Sequence, residues 1–189
     1  MITLNAGFKL ILSCFYFFLP AYLNNMTPPF AKKAGVLKSL DKPVDFNMSF
    51  GGERILGSHK TWRGVLTGLM IGFLTLYLQV WLYRFPLVQE LAFFDYQRIN
   101  FLRFGFLLCG GAIFGDLLFA FFKRRLKLKP GAKFIPFDQI NHVIGAAIFM
   151  TPFYKIDTLI WLTLLPLSFV LHLAANQIGF YLKLNKTGW

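Results

Sequence analysis

Long apolar runs recur along this chain, each bounded by basic residues, and few folds can accommodate that pattern. A helix needs about 20 residues, at 1.5 Å each, to cross the hydrocarbon core of a bilayer. Five stretches are candidates: Phe8 to Leu23, Gly64 to Tyr83, Phe104 to Phe122, the shorter Ile140 to Tyr154, and Thr158 to Leu182. The first competes with a cleaved signal peptide, but Lys9 is its lone charge and no A-x-A-like site follows, so it reads as a retained span. The fifth carries Pro166, His172, Asn176 and Gln177, which a bundle interior absorbs and lipid contact penalises. Of the 189 residues 56% are apolar and 15% charged, against about 25% charged in soluble domains. The chain therefore reads as an all-α integral membrane protein, a bundle of about five transmembrane helices forming one domain over residues 1–189. Two cysteines, Cys14 and Cys109, both in apolar runs, exclude a disulfide scaffold and an all-cysteine zinc site.

The net charge of +12 is unevenly placed. Lys32, Lys33, Lys38, Lys42, Arg54, Lys60 and Arg63 lie between the first two spans, and Lys123, Arg124, Arg125, Lys127, Lys129 and Lys133 between the third and fourth. Two crossings separate these connections, so they share a side, which the positive-inside rule makes cytoplasmic. Five spans then put the N-terminus outside and the C-terminus inside. Gly64, Gly68 and Gly72 line one face of the second span, and Gly111 and Gly115 repeat the spacing in the third. Such stripes let helix backbones approach closely, as a compact bundle requires.

Asp116 lies inside the third apolar run, about 10 Å from Lys123 along a helix and on the same face. A carboxylate at that depth is costly unless it is paired or binds a cation, and it marks a functional site by default; the plain alternative is a packing residue satisfied by another span. The basic connection after Lys123 is short enough to bring Asp138 back beside the third span. Two carboxylates next to Lys and Arg suit a Mg²⁺-phosphate ligand, the carboxylates holding a hard cation and the bases neutralising phosphate oxygens. Lys60, Thr61 and Arg63 precede or open the second span, where exposed backbone N–H groups favour anions. The Walker A spacing is absent. His59, His142 and His172 have no metal-site spacing and read as structural or polar-network residues.

Gly57-Ser58-His59-Lys60-Thr61-Trp62-Arg63-Gly64, Gly115-Asp116, Lys123-Arg124-Arg125, Lys129-Pro130-Gly131 and Phe137-Asp138-Gln139 together resemble the CDP-archaeol synthase family, relatives of the CDP-diglyceride synthetases. Asn25 with Thr27-Pro28-Pro29, and Pro43-Val44-Asp45-Phe46, fit the family's first loop. Ala120 stands where the family often has Ser, and Asn141 where it commonly has Asp. The resemblance implies a five-helix membrane cytidylyltransferase that uses CTP and Mg²⁺ to activate a glycerolipid phosphate and releases pyrophosphate.

On that reading Asp116 and Asp138 hold Mg²⁺ and, with Lys123, form the catalytic set. Lys60, Thr61, Arg63, Lys123 and Arg124 bind the CTP phosphates. The expected partners are CTP, a lipid phosphate and membrane lipids, with no nucleic acid, and the site faces the cytoplasm from the cytoplasmic membrane. A small transporter or channel, or a structural membrane protein, with Asp116 as cation relay or packing residue, is the alternative. A CDP-alcohol phosphotransferase is excluded by the missing D-G-x-x-A-R signature.

Overall fold

The computed structural model describes residues 5–129 and 131–181. Pro130 of the basic connection and Leu182 at the end of the fifth run lie outside the described residues. Five helices dominate: α1 (Ala6–Ala34), α2 (Trp62–Leu82), α3 (Phe101–Arg125), α4 (Phe137–Met150) and α5 (Thr158–Tyr181). All but α4 are long and apolar enough to cross a membrane. The outward face of α2 exposes Met70, Leu74, Tyr77, Leu78 and Trp81. A contiguous apolar surface of that extent belongs in lipid rather than in water.

α1 runs eleven residues past its expected end at Leu23, passing through Pro20, Pro28 and Pro29 before Gly35 closes it in the left-handed conformation at φ 67°. Each proline removes an amide donor and leaves the carbonyl four residues earlier without its helical partner. For Pro20 that carbonyl is Tyr16, and Gln79 of α2 donates its side-chain Nε2 to it at 2.5 Å, while the Tyr16 hydroxyl donates back to the Gln79 carbonyl at 3.3 Å. Beyond Leu23, the Thr27 hydroxyl donates to the Leu23 carbonyl at 2.6 Å, and Pro28 packs against Gly64 of α2. At Pro20 a neighbouring helix thus satisfies the group that proline frees, as a transmembrane proline requires. Lys32 and Lys33 consequently sit on the last turn of α1 rather than on a free loop, where cations favour the helix dipole.

The glycine stripe of α2 serves the contact with α1: a Cβ at Gly68 would strike the Asn24 side chain and one at Gly72 would lie 2.6 Å from the Cys109 sulfur. Asn24, 1% exposed, donates its amide to the Cys109 carbonyl at 2.9 Å. Residues Phe106–Gly110 form a π-helical turn within α3 at that place. Gly111 and Gly115 of α3 lie against the backbone of Asn141, Gly145 and Ala146 of α4, so α3 and α4 meet backbone to backbone.

α4 begins at Phe137, three residues before the expected Ile140, and ends at Met150. Its 14 residues span about 21 Å, less than a bilayer core of about 30 Å. The segment 131–136 before it and the turn through Tyr154 after it extend it along α3, for Phe137 stacks on Phe119 near one end of α3 and Tyr154 meets Phe104 edge to face near the other. The connection between α2 and α3 folds Phe93, Phe94 and Tyr96 onto Phe17 and Phe104. At the opposite end, the connection between α1 and α2 forms a two-stranded hairpin, β1 (Ser49–Phe50) and β2 (Glu53–Arg54), in which Ser49 faces Arg54 and Phe50 faces Glu53. Gly51 and Gly52 turn it with φ of 61° and 80°, which only glycine adopts freely. Arg125, closing α3, donates to the carbonyls of Phe50, Glu53 and Arg54, which puts the two basic connections at one end of the bundle.

Candidate functional site

One buried carboxylate organises the connection that delivers Lys60. Asp45 has a side chain fully shielded from solvent, yet it accepts from Arg54 at 2.7 Å and from the amides of Leu56, Gly57 and Asn47 at 3.0–3.1 Å. Burial alone would raise its pKa, but these donors outweigh it and hold the carboxyl below the ordinary carboxylate value. Around it the Val44 amide donates to the Lys60 carbonyl at 2.8 Å and the Trp62 amide to the Lys42 carbonyl at 2.9 Å. Thr61 is the N-cap of α2, its hydroxyl accepting from the Gly64 amide at 3.3 Å. The chain before α2 is therefore fixed at its backbone, and the Lys60 side chain projects from a rigid base.

Lys60 reaches Asp116 of α3, with Nζ 2.6 Å from Oδ2. Lys123, about two turns further along α3, donates to both oxygens of Asp138 at 2.9 and 2.8 Å and to the Ala132 carbonyl at 2.6 Å. Asp138 sits in the first turn of α4, where the helix dipole favours an anion, and accepts the Phe134 amide at 2.9 Å. Asn141, one turn on, directs its amide at the other Asp116 oxygen at 3.5 Å. Two ammonium–carboxylate pairs thus stand on one wall, each partly open, the carboxylates 28% and 27% exposed.

That opening is a polar cavity of about 390 Å³ bounded by α1, α2, α3, α4 and α5. Both ion pairs line it, with Asn24, Asn25, His59, Thr61, Gln139, Asn141, His172 and Asn176. A side lobe of about 240 Å³ shares the four charged residues and adds Leu56, Gly57, Ala120 and Arg124. Between α1 and α5 runs an apolar groove of about 370 Å³, walled by Phe15, Leu19, Met26, Phe30, Leu171 and Ile178. Asn25, Pro29, His172 and Asn176 border both the cavity and the groove.

The structure gathers Asp116, Asp138, Lys60, Thr61, Lys123 and Arg124 around this space, as the sequence suggests. Arg63 is the exception and corrects the expectation: it is 5% exposed, does not border the cavity, and pairs with Asp41 at 2.8 Å. Three residues past Lys60 and already in the helix, its side chain leaves on another face, where it ties the first connection to α2. Of the histidines expected to be structural or polar-network residues, His59 and His172 lie in the cavity wall, whereas His142 is buried against Phe18 and Tyr22. Asn25 and Asn176 are likewise in the wall. A polar pair four apart, His172 and Asn176, is the one signal in the sequence that marks this side of the cavity.

The chain matches the family model described as CarS-like, CDP-archaeol synthase, over residues 8–189. It is 35% identical over 181 residues to a CDP-archaeol synthase of Methanococcus maripaludis, covering 95% of this chain and 97% of that one. It is 35% identical over 180 residues to the Pyrococcus furiosus protein of the same name, covering 95% and 98%. With that of Methanosarcina mazei it shares 36% over 181 residues, covering 90% and 99%. A solved structure described as an intramembrane enzyme for archaeal membrane lipid biosynthesis superposes with a TM-score of 0.67 at 27% identity, covering 88% of this chain and 94% of that one.

Proposed function

Because the chain belongs to the CDP-archaeol synthase family and is a membrane cytidylyltransferase forming a CDP-archaeol-like lipid, we propose that its polar cavity is where CTP and a lipid phosphate meet. The observation that carries this reading is the pair of lysine–carboxylate contacts facing one polar cavity with an apolar groove beside it.

The reaction joins two anions. A phosphate monoester with a second pKa of about 6 is mostly dianionic at neutral pH, so its oxygen needs no strong base to attack the α-phosphorus of CTP. As that P–O bond forms, the bond between the α-phosphorus and the bridging oxygen breaks, and pyrophosphate leaves with the electron pair. What the protein must supply is positive charge and alignment. Lys60, Lys123 and Arg124 supply the charge, and the fixed backbone around Lys60 supplies the alignment.

Magnesium usually keeps several waters and binds through one or two carboxylates plus substrate phosphates. Among the described residues no cluster of three or more His, Cys, Asp or Glu side chains exists that would cage a metal unaided. Two carboxylates with hard oxygen donors, each already accepting a cation, fit such a shared ion. Asp116 and Asp138 would hold Mg²⁺, which supplies charge neutralisation across the phosphates. Lys60 and Lys123, beside those carboxylates in the cavity wall, would donate to phosphate oxygens. Arg63, held by Asp41, is left out of this set.

The two basic connections at one end of the bundle support a cytoplasmic face for the cavity in the cytoplasmic membrane. The lipid chains would lie in the groove between α1 and α5. The test is to incubate the purified protein with labelled CTP, Mg²⁺ and either an archaeal-type dialkylglycerol phosphate or phosphatidic acid. Labelled lipid and pyrophosphate in equal amounts are expected, with the dialkyl substrate preferred; no labelled lipid from either substrate would overturn the assignment.

A further inference from the structure

We propose that His172 and Asn176 of α5, with Asn25 of α1, form the seat for the phosphate and glycerol head of the lipid substrate. The inference rests on the cytidylyl-transfer reading above and adds residues to it. A lipid phosphate has conflicting demands: its chains stay in an apolar phase while its phosphate enters the polar cavity. The head therefore passes where cavity and groove meet, and that border is made of Asn25, Pro29, His172 and Asn176.

The chemistry of the border suits the ligand. Four residues apart on one helix, His172 and Asn176 lie on the same face, about 6 Å apart along the axis. An imidazole N–H and the amide groups of Asn176 and Asn25 offer donors to phosphate and glycerol oxygens. Among the described residues no hydrogen bond engages any of these three side chains. Polar side chains within membrane helices are costly unless they meet a partner, and usually that partner lies on a neighbouring helix. Here the protein supplies none, and all three side chains are half-buried on the cavity wall, so a ligand entering there can bond them without displacing a protein partner. By contrast Tyr22 and Ser168, also in the groove wall, satisfy each other at 2.7 Å. The nucleotide is the weaker occupant, because the same three residues open onto a groove whose walls are Phe15, Leu19, Met26 and Phe30.

The test uses the full chain in detergent, with His172→Ala, His172→Gln, Asn176→Ala and, on a separate helix in case either α5 variant fails to fold, Asn25→Ala. KM is measured separately for CTP and for a dialkylglycerol phosphate, and binding of a short-chain dialkylglycerol phosphate without CTP is followed by calorimetry. The alanine variants are expected to raise the lipid KM and weaken lipid binding by about tenfold. Their CTP KM should stay within about twofold, and His172→Gln, which keeps a donor, should recover part of the loss. A rise in the CTP KM instead would assign these residues to the nucleotide, and unchanged constants in folded variants would make them packing residues; either overturns the proposal. Were the wild type to bind the lipid phosphate without turning over, while the variants lost binding, the seat would stand and the transfer reading would fall.

Discussion

At one end of the bundle Phe17 meets Phe93, Phe94, Phe104 and Trp161 with ring centroids 5.7–6.3 Å apart, whereas at the other Lys60 and Lys123 stand 2.6 and 2.8 Å from Asp116 and Asp138. The aromatic end is dry: Phe17, Phe18, Phe104 and Leu108 have no exposed surface, and Tyr96 is 1% exposed. Its contacts are made once, on folding, and nothing replaces them. At the cavity end each carboxylate holds a lysine, and both pairs are partly open to the cavity. The same helices thus carry buried aromatic packing at one end and partly open charged pairs at the other, where the proposed function puts the chemistry.

Substitutions at the two ends should therefore have opposite signatures. The largest effect is expected for Phe17→Ala, which empties a fully buried site and should cost about 3–5 kcal/mol of stability. It should lower the thermal unfolding midpoint in detergent while leaving the KM for CTP near its wild-type value at temperatures where the protein stays folded; a KM shift there would join the two ends. Lys123→Ala should do the reverse. Removing one pre-placed cation is expected to lower kcat/KM by about 10²-fold, and steady-state kinetics beside a melting curve would show whether stability moves with it.

Gln79→Leu lies between the ends and should cost about 1–3 kcal/mol by leaving the Tyr16 carbonyl without a donor. Chemical unfolding would register this, and activity per folded molecule should not change. The smallest effect belongs to Asp45. Its pKa is depressed in the fold, so its stabilising contribution is complete above the unfolded value of about 3.9 and is lost as pH falls through the lower folded value. Limited proteolysis of the hairpin connection as a function of pH should show protection fading only in acid, and Asp45→Asn should weaken protection at neutral pH and flatten that dependence.

The cavity end was the more legible of the two in the sequence, for a physical reason. Asp116 stands out because an apolar run seldom carries a carboxylate, and Lys123 follows from helical periodicity alone. Asp138 follows from the short connection. Arg63 was misplaced because its partner, Asp41, is 22 residues away along an irregular segment, and no local period links the two. The extension of α1 is hidden in the sequence because Pro28 and Pro29 normally end a helix; the packing of Pro28 and Asn24 on the glycine face of α2 is a contact between helices that no local period shows. His172 and Asn176 were visible as polar residues in an apolar run, but their place at a border between two cavities emerges only when α1 and α5 are brought together.

Asp116→Asn tests the central claim most directly. The substitution keeps the size of the side chain and removes the charge that Lys60 now balances and that Mg²⁺ would use. Formation of CDP-lipid from CTP and dialkylglycerol phosphate should fall by about 10²–10³-fold or more, with an unfolding midpoint close to that of the wild type. Near-normal turnover in the folded variant would contradict the account, because the charged wall of the cavity would then be dispensable for the reaction.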